Sequence, residues 1–260
     1  DHVFHEEAPE SDALTTVWEH VDETVGLVAD IADRNDARLL LVSDHGFGPV
    51  NRTFHSNDWL EREGFRVDEG GSLIDQARTT YFPYLRRLGE AFVAIVPQLN
   101  DVAKSVGESI RKSPGENVDM DASIAFAPRQ NLTCGMIYFC TEDPEDRSHV
   151  VEGLHELRGP DGSTIDAMVY EPDDLYWGPK AELAPDLLLT LDNFECAVDP
   201  RPGTSGDIFE AGPPSPARSG GHRREGIFVC TGPDTRTGSD DVTTLLDVAP
   251  TILFLQGEPI

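Results

Sequence analysis

Lysine is nearly absent from this chain. Lys104, Lys112 and Lys180 are the only three, and arginine supplies the rest of the 20 basic residues. Against them stand 48 acidic residues, giving a net charge of −28. A surface of that sign repels nucleic-acid backbones and anionic membranes, which excludes recognition of either through a general basic footprint. Excess acid with little lysine also resembles the composition of proteins from salt-loving archaea, where the charge serves solvation rather than partner binding. Long apolar runs are missing too. The longest, Ala91-Phe92-Val93-Ala94-Ile95-Val96, stops at Pro97, far short of the ~20 residues that a membrane helix needs. No basic segment followed by an apolar one opens the sequence, so no signal peptide is read; a cytoplasmic location is expected, with secretion the alternative because the native start is expected upstream of Asp1. Cysteine is sparse: Cys134, Cys140, Cys196 and Cys230 show no CxxC spacing. Three of them lie in or beside apolar, strand-like runs, which reads as buried free thiols rather than a disulfide framework.

What is present suits a folded α/β protein. At 260 residues and 38% hydrophobic content, the chain can bury a core, and one domain carrying an insertion is expected. Leu14, Val17, Trp18, Val21, Val25, Val28 and Ile31 recur at gaps of three and four, which predicts a helix over residues 12–33 with Ser11 or Asp12 as its cap. The run 37–42 (ARLLLV) fits a strand buried on both faces, as in a parallel sheet. Residues 58–63 predict a short helix ended by Gly64. Strands are expected at 135–140, 167–170, 185–191 and 226–230, and helices at 148–157 and 244–256, the last with Asp247 as a cap and Pro250 in its first turn. The stretch 68–130 holds two helical patterns around Pro97 and interrupts the α/β rhythm. It is read as an inserted helical lid or cap between core segments 1–67 and 131–260. Residues 199–221, rich in Pro, Gly and Ser, predict a long loop leading to His222.

Three short stretches carry metal-ligand residue types. They are Asp1-His2-Val3-Phe4-His5, Ser43-Asp44-His45-Gly46 and Gly220-Gly221-His222-Arg223. Each is expected at a strand end or loop, and in open α/β sheets ligands collect at the carboxyl ends of strands. Two carboxylates and three imidazoles are the ligand chemistry of a paired divalent-metal site. Taken singly, each has a plainer reading: a helical-turn pair, a capping Asp in a turn, an exposed loop His.

The sequence resembles the type I phosphodiesterase/nucleotide pyrophosphatase family of the alkaline phosphatase superfamily. The resemblance rests on Asp1-x-x-x-His5, LLLVSDHGFGPV (39–50), Asn57-Asp58-Trp59-Leu60, Tyr176-Trp177-Gly178-Pro179 with Ala184-Pro185-Asp186-Leu187, SGGHRREGIFVCTGP (219–233) and LLDVAPTILFLQGEP (245–259), in that order. It implies an α/β sandwich with a central, mostly parallel sheet flanked by helices. It implies that Asp1, His5 and His222 hold a first metal, and that Asp44 and His45 contribute to a second. Zn²⁺ is expected from the His/Asp donor set, with Mn²⁺ the alternative. Arg223 and Arg224 are candidates to clamp a phosphate oxygen, against a reading as solvent-facing balance for the acidic surface. The implied activity is hydrolysis of phosphoric diesters or nucleotide pyrophosphates, with a small phosphate ester or nucleotide as substrate. The family's Thr or Ser nucleophile and a further Asp ligand are expected upstream of Asp1, so residues 1–260 alone are expected to be inactive. Alternatives are another hydrolase of the superfamily (phosphomonoesterase, sulfatase or phosphoglycerate mutase type) and a catalytically incomplete domain that binds metal or a partner.

Overall fold

The computed structural model describes residues 11–68, 118–128, 134–215, 219–236, 238 and 243–258. Asp1 and His5 lie outside these residues, as does most of the expected lid. The chain divides into two compact units, Asp1–Gly48 with His222–Ile260, and Pro49–Gly221.

In the first unit, α1 spans Asp12–Arg34. Ser11 caps it, its hydroxyl accepting from the Leu14 N–H at 3.3 Å, and Asp12 and Arg34 sit at the ends that the helix dipole favours. The Asn35 side-chain amide donates to the Ile31 carbonyl at 2.7 Å, and Asp36 at φ 51° turns the chain out of the helix. The apolar stripe forms as the spacing predicts, but of it only Leu14 is buried; Trp18 is 55% and Ile31 59% exposed. β1 (Leu39–Val42) pairs antiparallel with β11 (Phe228–Thr231), Leu39 opposite Thr231 and Val42 opposite Phe228. Contrary to expectation, β1 is half-buried along its length. Among the described residues its one strand neighbour is β11, whose Phe228 and Val229 are themselves exposed. At the end of the chain a short 3-10 turn, Leu245–Asp247, leads into α5 (Val248–Leu255). Asp247 stands at the N-cap position of α5, as expected, but makes no side-chain cap bond there. Its carboxylate instead turns back to accept from the Thr244 N–H and hydroxyl, both at 2.8 Å.

The second unit is built on a seven-stranded sheet of β3 (Arg52–His55), β4 (Ala125–Phe126), β5 (Gly135–Phe139), β6 (Ala167–Tyr170), β7 (Leu187–Leu191), β8 (Cys196–Asp199) and β9 (Phe209–Ala211). Its order is β4-β5-β7-β8-β3-β9, with β6 also paired to β7. α2 (Ser56–Arg62) and α3 (Pro144–His155) supply the helices, and α4 (Pro172–Leu175) is one turn. Every residue of β7 is buried, and Leu187, Leu189 and Leu191 each withdraw a side chain worth ~1.5–3 kcal/mol of transfer free energy. Phe54, Trp59, Leu60, Ile137, Val150 and Leu154 complete the core around it. α3 begins at Pro144, earlier than the apolar pattern indicates, because Asp143 accepts from the Glu145 N–H at 2.9 Å and Pro144 suits the first helical position.

The α/β character stands, but the sheet is not mostly parallel. Among the described pairings of this sheet, only β3 with β8 is parallel. For β7 and β8 the reason is connection length. β7 reaches β8 through residues 192–195, and a parallel neighbour needs a crossover of about a dozen residues or more. The turn passes through Asp192, Asn193 and Phe194, all at positive φ (48°, 48° and 68°); the Asp192 N–H donates to the Asp166 carbonyl at 2.8 Å, and the Asp192 carboxylate accepts from the Asp166 N–H at 3.0 Å. The expected lid region is bracketed by a bridge between Asp68 and Val118, so the chain re-enters beside the point where it left. The stretch 199–221 is not all loop: it contains β9 and the start of β10 (Gly220–Arg223).

Candidate metal centre

Asp44 and His45 stand directly after β1, and the loop is braced from the returning strand. The Ser43 N–H donates to the Ile227 carbonyl at 3.0 Å, and the Ser43 hydroxyl accepts from the Ile227 N–H at 2.8 Å. The glycines of this motif have a steric duty. A Cβ on Gly46 would overlap the Glu225 carbonyl oxygen, and one on Gly226 would meet Ser43 Oγ at 2.5 Å. Both are therefore positions where two backbones approach as closely as Gly allows. β2 (Gly46–Pro49) pairs with β10 in a two-stranded ribbon, and His222 sits inside β10, not on a loop.

This arrangement brings two of the three distant motifs together. The His45 and His222 rings stack, with centroids 3.8 Å apart and planes 18° from parallel. Phe47 closes on His222 edge-on at 5.9 Å. His45 Nδ1 lies 2.8 Å from the Gly46 carbonyl oxygen. A carbonyl only accepts, so Nδ1 carries the proton and Nε2 carries the lone pair of the neutral ring. Nε2 is 3.6 Å from Asp44 Oδ1, and the Asp44 side chain is 79% exposed.

The arginines divide. Arg223 is half-buried, donates to the His222 carbonyl at 3.0 Å, and runs beside Gly48, where an added Cβ would lie 2.7 Å from its Nε. Arg224 is exposed. Among the described residues, no group of three or more His, Cys, Asp or Glu side chains converges as a complete ion cage. The motif carrying Asp1 and His5 falls outside them.

A second polar constellation, in the other unit, went unread as such in the sequence. Asn57, 2% exposed, donates to the Ala127 and Pro200 carbonyls and accepts from the Ala127 N–H, each at 2.9 Å. Asp58 accepts from the Gly203 N–H at 2.7 Å. Burial pushes the Asp58 carboxyl above its usual range, against the pull of the Gly203 amide and of His55. Glu210 accepts from Thr204 and Ser205. Burial alone would raise its carboxyl, but these bonds and the charge of His55 outweigh it and hold Glu210 down at about 2. Asn57-Asp58-Trp59-Leu60 is thus a staple, its polar half binding loop main chain and its apolar half filling the core. The available signal was an Asn-Asp pair directly before two core residues at a helix start. The four cysteines are free thiols; Cys196 is buried and the others half-buried.

The family model for type I phosphodiesterase / nucleotide pyrophosphatase matches residues 1–192. Neither a curated protein nor a solved structure matches the chain. Among the described residues, no helix is long and apolar enough to cross a membrane.

Proposed function

The chain belongs to the type I phosphodiesterase/nucleotide pyrophosphatase family, and on that premise we propose that it is a metal-dependent hydrolase of phosphoric diesters or nucleotide pyrophosphates, with Asp44, His45 and His222 among the residues that hold a pair of divalent ions. The observation that carries this reading is the pairing of Asp44 Oδ1 with His45 Nε2 at 3.6 Å beside a His222 ring stacked at 3.8 Å.

The donor set fits the ions. With Nδ1 committed to the Gly46 carbonyl, His45 Nε2 and the Asp44 carboxylate are two acceptors facing one another. Two ligands at ~2.1 Å from a tetrahedral ion stand ~3.4 Å apart, close to the spacing seen. Imidazole rings stacked with centroids 3.8 Å apart also suit one ring per ion, because paired ions in such sites lie ~3.5–4 Å apart. Asp1 and His5 complete the proposed set with His222, and Asp44 with His45 serves the second ion. Zn²⁺ is favoured by the nitrogen-rich donors, with Mn²⁺ the alternative. When bound, such ions stabilise the entering and leaving oxygens of an in-line displacement at phosphorus.

The chain's own groups do the positioning. The Gly46 carbonyl fixes the tautomer and plane of His45, as a backbone acceptor behind a metal-ligating histidine does. Ser43 locks the loop to the returning strand. Phe47 limits rotation of His222. Arg223, alongside Gly48, offers a guanidinium for a phosphate oxygen in a protein whose net charge otherwise repels anions. The substrate class is a small phosphate ester or nucleotide. The test is metal analysis of the purified chain together with hydrolysis of a nitrophenyl phosphodiester by the native protein. Metal-dependent turnover lost on Asp44→Asn and on His45→Ala is expected; full turnover in both variants would defeat the reading.

A further inference from the structure

A buried histidine in the second unit has a hydrogen-bonding problem that a second ring proton solves. His55, at the end of β3, is 4% exposed. Its Nδ1 lies 2.7 Å from the Arg201 carbonyl oxygen, so Nδ1 bears a hydrogen. Its Nε2 is buried, has no hydrogen-bond partner, and looks onto Glu210 Oε2 at 3.5 Å. A neutral ring would therefore turn a lone pair toward a carboxylate inside the protein. An imidazolium would turn an N–H toward it.

Charged groups reach the ring from each element packed against it. From α2 comes Asp58, and from β9 comes Glu210. From β8 comes Asp199, opposite His55 in the parallel register but neutralised by Arg201 through Nε and Nη2 contacts of 2.6–3.0 Å. Arg66, the remaining cation near Asp58, is engaged with Glu61 and Asp68. The ring thus faces two carboxylates whose charge nothing else on these elements cancels fully. Both carboxylates hold the same loop: Asp58 takes the Gly203 N–H, and Glu210 takes the N–H groups of Thr204 and Ser205 and the Thr204 hydroxyl. The His55 N–H itself donates to the Ile208 carbonyl at 2.8 Å. A Cβ on Gly203 would lie 3.0 Å from His55 Cδ2, so loop and ring are in direct contact.

We infer that His55 is a proton-operated latch for residues 200–211: the doubly protonated ring holds Glu210, and with it the loop, while loss of the Nε2 proton loosens both. Only a proton moves in this step, from Nε2 to solvent, and Glu210 stays ionised. The latch is independent of the metal reading. By linkage, the contact holds the loop while the ring keeps both protons and is lost with the Nε2 proton.

The test is amide hydrogen exchange of the native chain, corrected for intrinsic rates, at pH values from about 5.5 to about 8. Protection of Thr204 and Ser205 is expected to fall roughly tenfold over that range, the change that one lost charge-assisted contact produces. In Glu210→Gln the step is expected to vanish, since the ring then faces an amide. Nitrogen NMR of the His55 ring should show both nitrogens protonated at the acid end and only Nδ1 at the basic end. A wild-type chain with no step overturns the latch, as does a step that survives in Glu210→Gln or a ring that stays neutral throughout. His55→Gln should abolish the step as well; if that variant fails to fold, Glu210→Gln and the ring nitrogens decide.

Discussion

Replacing Asn57 with alanine tests whether the Asn57–Leu60 stretch is a staple. The side chain is 2% exposed and makes three bonds of 2.9 Å, two donated to the Ala127 and Pro200 carbonyls and one accepted from the Ala127 N–H. Ala127 and Pro200 are themselves fully buried. Truncation therefore strands three main-chain groups away from solvent. Each stranded group costs ~1–3 kcal/mol, and a water entering the vacated space recovers part of that. The net expectation is a loss of ~3–5 kcal/mol, a large share of the ~5–15 kcal/mol that a domain possesses. Urea unfolding followed by tryptophan fluorescence measures it, since Trp59 packs within 6.2 Å of Phe54 in the same core. Asn57→Asp is the sharper companion. It keeps an acceptor for the Ala127 N–H but turns a carboxylate oxygen toward two carbonyls, so it should be about as damaging at neutral pH and partly rescued by acid. A loss below ~1 kcal/mol for Asn57→Ala would refute the staple, because buried partners cannot be abandoned so cheaply.

Gly46→Ala should separate the backbones at residues 46 and 225, where the added methyl has no room. A cost of ~1–3 kcal/mol and a ~10–100-fold weaker zinc affinity are expected, read by thermal melts and competitive chelation. The Glu210 carboxyl, held at about 2 in the folded chain, lies below its unfolded value of ~4.3. Its contribution is therefore present above the unfolded value and lost as pH falls toward 2; acid titration of stability should be shallower in Glu210→Gln over that window. Burial drives the Cys196 thiol up to about 12, so among the four cysteines it should be the slowest to react with a thiol reagent in the native state and should gain reactivity only on unfolding.

Elements that carry their own signal were legible in the sequence. α1 follows from a one-sided stripe and a Ser11 cap, and β7 from five apolar or β-favouring residues after Pro185. β3 (RTFH) and β8 (CAVD) were not legible: each is four residues long and mixes polar with apolar, so each is a strand only because its partner pairs with it. The direction of the sheet was misread for a related reason. A run buried on both faces fits the interior of a parallel or an antiparallel sheet, and only the short 192–195 turn decides. At the candidate site, residue types and chain order picked out Asp44, His45 and His222, and the structure brings those three together. The environment of His222 was misjudged, since its flanking glycines read as loop while Gly220–Arg223 is a strand paired with β2. The polar cluster of His55, Asn57, Asp58 and Glu210 joins residues more than 150 positions apart, a distance at which periodicity carries no information.

The central claim is that Asp44, His45 and His222 help hold a pair of divalent ions. Equilibrium zinc binding to the chain and to His45→Ala and His222→Ala, with folding checked by circular dichroism, addresses it most directly. The native protein is predicted to bind two ions, with each variant losing tight binding of one. Unchanged zinc stoichiometry and affinity in both folded variants would contradict it.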